Sequence, residues 1–370
     1  MPEPFVSVLI DTYNHERFIE EAIVSVLAQD FPSDKMEILV VDDGSTDRTP
    51  EIVQRFEPRV RLIRKANGGQ ASAFNVGIAQ ARGEIVAFLD GDDWWAPSKL
   101  REVADVFEKN PGIGAVAHGF FEVNTDAASN ILVVPEKACR LTLNDPGEAR
   151  SFLSLCGLFA TSCMTARKKV LDRILPVPED LIFAADGFIS FLGVAIAGAM
   201  VLDRPLSYYR VHSENLWGTR DPDRLRRRQE MQECFVEKVF PRLSSLSIPL
   251  EVLAVLAEPW RLDSESSHLS RHGGMPWRTF QVERAAYGIA YAGATFGYKL
   301  FKALVLGLTL LMPPRRFYQL KRWYAEKGFR RFREKLGNPV LADPIRVLRH
   351  SVERPAAILR CEVDRDNAKT

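Results

Sequence analysis

The 370-residue sequence has few cysteines, no surplus of charge and no uninterrupted apolar stretch long enough to cross a bilayer. Its five cysteines, at 139, 156, 163, 234 and 361, are odd in number and never fall in a C-x-x-C spacing. That argues for reduced thiols in a cytosolic setting and against a disulfide frame or a zinc site. A net charge of +1 gives the whole chain no attraction for nucleic acid. Two apolar stretches without a charge are sixteen residues from Gly187 to Leu202 and twelve from Ala303 to Pro314. Both fall short of the roughly 20 residues that a spanning helix needs. The first is expected to form a buried helix and strand, the second a core helix or an in-plane anchor. The opening MPEPFVSVLID has no basic leader before a strand-like run, so no signal peptide is expected. Also missing are the P-loop G-x-x-x-x-G-K-[ST] and the dinucleotide fingerprint G-x-G-x-x-G, so a phosphate must be held by other means.

What is present reads as a globular protein. Apolar residues make up 46% and charged residues 26%, values that exclude wholesale disorder and collagen-like or coiled-coil structure. The first 120 residues alternate strand and helix patterns. Val6-Ser-Val-Leu-Ile10, Ile38-Leu-Val-Val41 and Ile85-Val-Ala-Phe-Leu89 are short apolar runs of the kind buried on both faces of a parallel sheet. Val60-Arg-Leu-Ile-Arg64 is partly polar and suits an edge. Helical patterns run from Phe18 to Leu27, from Thr46 to Phe56 with Ser45 or Thr46 as cap, and from Ala71 to Ala81. Alternation of this kind implies right-handed crossovers and a doubly wound α/β sheet. Residues 120–150 are irregular and polar and read as a surface excursion. From 221 the pattern turns helical, with breaks at Pro249, Gly273-Gly274 and Pro313-Pro314, so a domain boundary is expected near 220.

The strand ends carry acids. The first strand runs into Asp11, the second into Asp42-Asp43, and the strand closing at Leu89 into Asp90, Asp92 and Asp93. In an open parallel sheet the ligand crevice lies outside the carboxyl ends of the strands, so these acids should share one rim. Like charges so close force protons onto some of the carboxyls unless a cation or a set of donors compensates. Oxygen ligands with no cysteine nearby suit Mg2+ or Mn2+, which also bind substrate phosphates. The acids would thus hold a metal and the metal a diphosphate. Asn67-Gly-Gly-Gln70, before a helical pattern, can offer backbone N–H groups to an anion, with a plain Asn-Gly turn as the alternative.

These segments resemble the family 2 glycosyltransferases of the GT-A fold. The resemblance rests on VSVLIDTYNHERFIEEAIVSVLAQ at 6–29, ILVVDDGSTDRTPEIV at 38–53, NGGQASAFNVGIAQARGEIVAFLDGDDWWAPSKL at 67–100 and YYRVHSEN at 208–215. It covers roughly residues 4–215 and implies a GT-A-type, Rossmann-like and mostly parallel sheet, so the expected catalytic domain is 1–220, with the mainly helical region read from the pattern over 221–370. It also implies transfer of a sugar, with inversion, from a nucleotide donor, expected to be a UDP-sugar, to a glycan or lipid-linked acceptor hydroxyl. By motif, Thr12 and Tyr13 flank the nucleotide base and Asp43 accepts from it. Gly69 and Asn75 fall in the nucleotide-binding segment. Asp90 and Asp92 form the D-x-D element that meets ribose and metal, and His212 matches the position that completes the metal shell. Two positions depart from the family pattern: the usual Pro before Thr-Tyr-Asn is Asp11, and the frequent Ala-Arg-Asn is Ala73-Phe-Asn75.

An inverting transfer needs a general base for the attacking hydroxyl. Asp186 is the only ionisable residue between Leu181 and Leu202, and apolar surroundings would raise its pKa towards a useful value. A helix-capping Asp is the bland alternative. Trp94, Trp95 and Trp217 can form an apolar shelf for an acceptor sugar or simply be buried. His15 and His118 read as structural or surface residues. Residues 311–350 hold eleven Lys and Arg against three acids. Joined to the apolar stretch before it, segment 298–335 fits an interfacial helix on anionic lipid as well as an ordinary amphipathic helix. The expected location is cytoplasmic, at most peripheral on the inner face of the cytoplasmic membrane, in polysaccharide or glycolipid assembly of the cell envelope. A catalytically silent module that binds nucleotide sugar or glycan is the competing reading.

Overall fold

The first strand, β1 (Val6–Thr12), forms where branched apolar residues run without interruption, and all but one of its residues are buried. The computed structural model of the chain describes residues 5–124, 130–181, 184–212, 215, 222–290, 296–327 and 345–350. After β1 come α1 (Ile19–Leu27), β2 (Met36–Asp42), α2 (Thr49–Gln54), β3 (Arg61–Arg64), α3 (Gln70–Gln80) and β4 (Ile85–Asp90). Strands β1, β2 and β4 lie side by side and parallel, with β3 beyond β2 at the end of the sheet. The polar β3 has no buried residue, whereas Val8, Ile10, Val40, Ala87 and Leu89 are fully buried against α1 and its neighbours. Burying each such branched side chain contributes about 1.5–3 kcal/mol, so the order of apolar runs fixes the order of strands.

Beyond β4 the sheet changes character. It continues through the short β5 (Trp94–Trp95), α4 (Lys99–Lys109), β6 (Ala115–Asn124), β7 (Asn130–Pro135), β8 (Cys139–Leu141), α5 (Pro146–Leu155) and β9 (Met164–Arg167). Then follow α6 (Lys168–Ile174), α7 (Ala185–Ala197) and β10 (Ala199–Val211). Strand β9 pairs antiparallel with both β4 and β6, β7 pairs antiparallel with β6, and β10 runs parallel to β6. The expected excursion over 120–150 is therefore corrected: the described part of it holds the end of β6, β7 and β8. Polar residues around the apolar run Ile131-Leu-Val-Val134 of β7, and the brevity of β8, hide these strands in the sequence. The uncharged run from Gly187 to Leu202 does form most of a buried helix, α7, and the start of β10.

The expected cap of α2 is also corrected. The helix begins at Thr49, and Ser45 and Thr46 reach across to the loop after β1 instead. Ser45 Oγ accepts from the Asn14 N–H at 2.9 Å and the Thr46 N–H donates to Asn14 Oδ1 at 2.8 Å.

The chain is helical from α8 (Pro222–Ser245) through α9 (Leu250–His272), α10 (Pro276–Ala290), α11 (Phe296–Leu311) and α12 (Pro314–Lys327), and β11 (Ile345–His350) then joins β7. The helices break at Pro249, Gly273-Gly274 and Pro313, and prolines open α10 and α12, where a missing N–H costs nothing. Two compact units result. One extends to Val252 and includes β11; the other runs from Leu253 to Pro344. The second has its own core of Leu262, Leu269, Val282, Phe317 and Tyr318. Among the described residues, no helix is long and apolar enough to cross a membrane.

Candidate active site

The register of the sheet puts the acids on one rim. Asp11 of β1 pairs with Asp90 of β4, and Thr12 pairs with Asp42 of β2. Parallel neighbours lie about 4.8 Å apart with paired side chains on the same face, so Asp11 and Asp90 stand next to each other. The chain then turns at Gly91, where a Cβ would sit 2.7 Å from both Thr12 Oγ1 and His15 Nδ1. Only glycine lets the Asp90–Asp93 turn close over the end of β1. Oxygens of Asp90, Asp92 and Asp93 come within 4.8 Å of one another.

Each carboxylate has different company. Asp93 is buried and fully engaged: Oδ2 accepts from the Ser162 hydroxyl at 2.6 Å and Oδ1 from the Arg210 N–H at 2.8 Å. Asp92 Oδ2 lies 3.0 Å from His212 Nε2 and 4.0 Å from His15 Nε2. Asp90 Oδ1 accepts from Gln70 Nε2 at 3.2 Å. Asp11 Oδ1 is buried with no hydrogen-bond partner.

The protonation equilibria follow from this. Burial, and then the charge of Asp92, push the Asp11 carboxyl up to about 8. Burial raises Asp90 as well, with Asp11 and Asp93 adding to it, and burial with the Asp92 charge raises Asp93. Burial also pushes Asp92 upward, but the bond to His212 and the nearness of His15 outweigh it and leave that carboxyl below its ordinary range.

Asp186 lies in the first turn of α7. Burial raises it to about 6, against the backbone N–H groups of Gly187 and Thr161, which favour its ionised form. Its charge in turn raises Asp11 and Asp90, which places it within electrostatic reach of the rim.

The neighbouring corner of the rim is differently built. Asp43 follows β2 and is buried; its carboxylate takes Lys65 Nζ at 2.5 Å, the Gly68 N–H at 3.0 Å and the Gly69 N–H at 2.7 Å. Gly69 sits at φ 83° ahead of α3, a conformation natural to glycine. The expectation that this turn offers its N–H groups to a ligand anion is corrected, because the anion they hold is the Asp43 side chain. Thr12 is buried, 3.2 Å from His15 Nδ1 through its hydroxyl, while Tyr13 is 45% exposed.

Three further expectations change. The Asn75 side chain donates to the Val177 carbonyl at 2.8 Å and accepts from the Val177 N–H at 2.8 Å, which makes it a clamp on the chain before α7 rather than a nucleotide contact. Trp94 and Trp95 are each 1% exposed. Trp94 stacks on Tyr208 at 5.1 Å under the Arg210 guanidinium, and Trp95 Nε1 donates to the Ser162 carbonyl at 2.9 Å. Neither ring can form an acceptor shelf, because apolar surface of that size gains most by packing inside. Trp217 lies outside the described residues. His118 is buried as a structural residue, but His15, set aside in the sequence, stands beside Asp92. Gln70, Thr161 and Ser162 also reach the acids; Gln70 ends the Asn67–Gln70 turn singled out in the sequence, though for its backbone, and nothing in the sequence context of Thr161 and Ser162 marks them.

A curled sheet with acids at the carboxyl ends of its parallel strands, flanked by helices and followed by further helices, is the architecture of the GT-A class of glycosyltransferase folds. Residues 7–175 match the profile of glycosyl transferase family 2. The chain is 35% identical over 220 residues to an uncharacterized glycosyltransferase of Nostoc sp., covering 57% of this chain and 66% of that protein. It is 37% identical over 108 residues to the poly(ribitol-phosphate) beta-N-acetylglucosaminyltransferase TarS of Staphylococcus aureus, covering 28% of this chain and 19% of that one. These matches thus span less than two thirds of the length of either relative. In three dimensions the crystal structure of S. aureus TarS 1–349 superposes with a TM-score of 0.53 at 21% identity, over 77% of this chain and 80% of that one. Over residues 7–175 the chain is thus that of a family 2 glycosyltransferase.

Proposed function

We propose that the protein is a divalent-cation-dependent inverting glycosyltransferase that moves a sugar from a nucleoside diphosphate donor, a UDP-sugar by preference, to an acceptor hydroxyl. The observation that carries this reading is Asp186, a carboxyl raised to about 6 within electrostatic reach of Asp11 and Asp90. An inverting transfer needs one group poised to accept a proton near neutral pH and a separate set to hold the diphosphate, and two differently tuned acidic environments supply both.

In this reading Thr12, Tyr13 and Asp43 meet the base, Gly69 orients Asp43 through its N–H, and Asp90 reaches the ribose. The acceptor oxygen attacks the anomeric carbon from one face while the bond from that carbon to the diphosphate oxygen breaks on the other. Asp186 takes the hydroxyl proton, and the bonding pair leaves with the nucleoside diphosphate. Asp90, Asp92 and His212 would hold Mg2+ or Mn2+. The donor set suits such an ion: clustered carboxylate oxygens, an imidazole nitrogen, and an Asp11 oxygen buried without a partner. When bound, the cation supplies charge stabilisation at the departing diphosphate. Asp93, tied at both oxygens, holds the turn that carries the ligands.

We place the acceptor among the glycans or lipid-linked glycans of the cell envelope, a reading supported by the polymer named as the substrate of the S. aureus relative. Support for a lipid surface comes from the second unit. On α11, Phe296, Leu300, Leu304 and Leu308 recur every fourth residue and are 83%, 55%, 67% and 39% exposed. Helix α12 brings the exposed Arg315 and Arg316 close behind in sequence. An exposed apolar stripe next to basic residues suits the surface of an anionic bilayer; of the segment expected to make this contact, 328–335 lies outside the described residues. Flotation with phosphatidylserine vesicles should carry the wild type and leave Leu304→Asp behind, and equal flotation of the two would end this part of the reading.

The transfer reading is tested by incubating the protein with a panel of UDP-sugars, Mn2+ and candidate lipid-linked or polymeric acceptors. Transfer by the wild type that Asp186→Asn lacks supports it. Equal transfer by the variant removes Asp186 as base.

A further inference from the structure

One short turn reaches both the cation acids and the base. Thr161 and Ser162 begin the turn Thr161–Cys163 that leads into β9, and both are 2% exposed. The Ser162 hydroxyl accepts from the Asp90 N–H at 3.1 Å and donates to Asp93 Oδ2 at 2.6 Å, so it grips the two ends of the acidic turn. The Ser162 carbonyl is itself held by Trp95 Nε1 at 2.9 Å, Lys99 Nζ at 3.0 Å and Ser207 Oγ at 2.5 Å. Those donors come from β5, α4 and β10, and all are buried. A carbonyl oxygen has two lone pairs, and three donors converging on it leave little freedom to move. Thr161 Oγ1 accepts from Gln70 Nε2 at 3.1 Å, and the same amide donates to Asp90 Oδ1. The Thr161 N–H bears on the Asp186 carboxylate.

We propose that the Thr161–Ser162 turn is a positioning element that sets the Asp90–Asp93 carboxylates and Asp186 at one fixed spacing, so that the donor's diphosphate and the acceptor's hydroxyl are held in register. The proposal rests on the glycosyl-transfer reading above. Its physical basis is that carboxylates crowded on one rim repel and will turn apart unless their orientation is imposed from outside the cluster. The Ser162 hydroxyl imposes it on Asp93, the Gln70 amide held by Thr161 imposes it on Asp90, and the Thr161 backbone ties the same turn to Asp186. Partners that orient ligands in this way commonly account for a 10- to 100-fold part of metal affinity.

The test is titration of the full chain with Mn2+, followed by the electron paramagnetic resonance signal of the free ion, with thermal unfolding measured in parallel. Ser162→Ala is expected to bind Mn2+ roughly 10- to 100-fold more weakly than the wild type. Thr161→Val, which keeps the side-chain volume but loses the acceptor for Gln70, should weaken binding in the same direction, and Thr161→Ser should restore it. A role in stability alone would lower the melting temperature and leave Mn2+ affinity unchanged. If folded Ser162→Ala binds Mn2+ like the wild type, the proposal falls while the glycosyl-transfer reading stands. Should Ser162→Ala fail to fold, the threonine pair decides: equal affinity of Thr161→Val, Thr161→Ser and wild type overturns the proposal. A wild type that takes up no Mn2+, with or without UDP, removes the cation reading and this proposal with it.

Discussion

Two corners of one rim carry buried carboxylates and treat them in opposite ways. At the Asp43 corner the protein supplies its own compensation, a lysine ammonium and two backbone N–H groups on a single side chain. At the Asp11–Asp90–Asp92 corner it supplies a glutamine amide and imidazoles, leaves one Asp11 oxygen without a partner, and lets burial and mutual repulsion push Asp11 and Asp90 upward. Charge that the fold neutralises itself holds structure together. Charge that it leaves over is, in the reading proposed above, where a cation and the diphosphate it carries would bind.

The contrast can be broken at several points. The largest effect is expected at Asp186: Asp186→Asn should lower kcat by about 10²- to 10⁴-fold, the usual worth of a general base, while UDP binding by calorimetry stays within a factor of two or so. Next comes the Asp43 corner. Asp43→Ala leaves the Lys65 ammonium and two N–H groups without their acceptor and should cost about 3 kcal/mol in urea unfolding, as breaking a buried ion pair does. The opposite corner should respond with the opposite sign. Asp11 is raised to about 8 in the fold from a usual carboxyl value of 3.8, so the folded chain holds a proton that the unfolded chain releases. Its contribution to stability is fully present below about pH 4 and is lost as pH rises through 8. Asp11→Asn should therefore flatten the fall in stability between those values in EDTA, and stabilise the protein by about 1 kcal/mol at pH 8. Greater loss from Asp11→Asn than from Asp43→Ala would refute the comparison. The smallest effect is a pH profile: because Asp186 must be ionised to accept a proton and is raised to about 6, kcat/KM should fall about tenfold per pH unit below that value. An unchanged rate at pH 5 would sharpen attention on another base.

Much of this arrangement is legible in the sequence because it is local. A parallel strand buried on both faces is a continuous apolar run, and the residue that ends it lies at the carboxyl edge, so Asp11, Asp42 and Asp90 announce both strand and rim. Asp186 is legible as a lone ionisable residue in an apolar stretch. What stays hidden is settled by partners distant in the chain. Whether Asp43 is compensated depends on Lys65 and Gly69, whereas Asp93 depends on Ser162, 69 positions away in the chain. Trp94 and Trp95 look the same in sequence whether they line a groove or fill a core; Tyr208 and Arg210, from β10, decide it. Strand β8 is missed because its three residues make no apolar run, whereas β7 carries the run Ile131-Leu-Val-Val134, of the same kind as that of β2, and is missed because polar residues surround it.

The measurement that bears most directly on the central claim is calorimetric titration of UDP into the protein with Mn2+ and again with EDTA, on the wild type and on Asp92→Ala. UDP binding that requires Mn2+ and disappears in Asp92→Ala is the expected result, since the Asp90–Asp92 corner then takes its missing positive charge together with the diphosphate. UDP binding of equal strength in EDTA and in Asp92→Ala would contradict it, and would show that the uncompensated acids serve something other than a cation and a nucleotide.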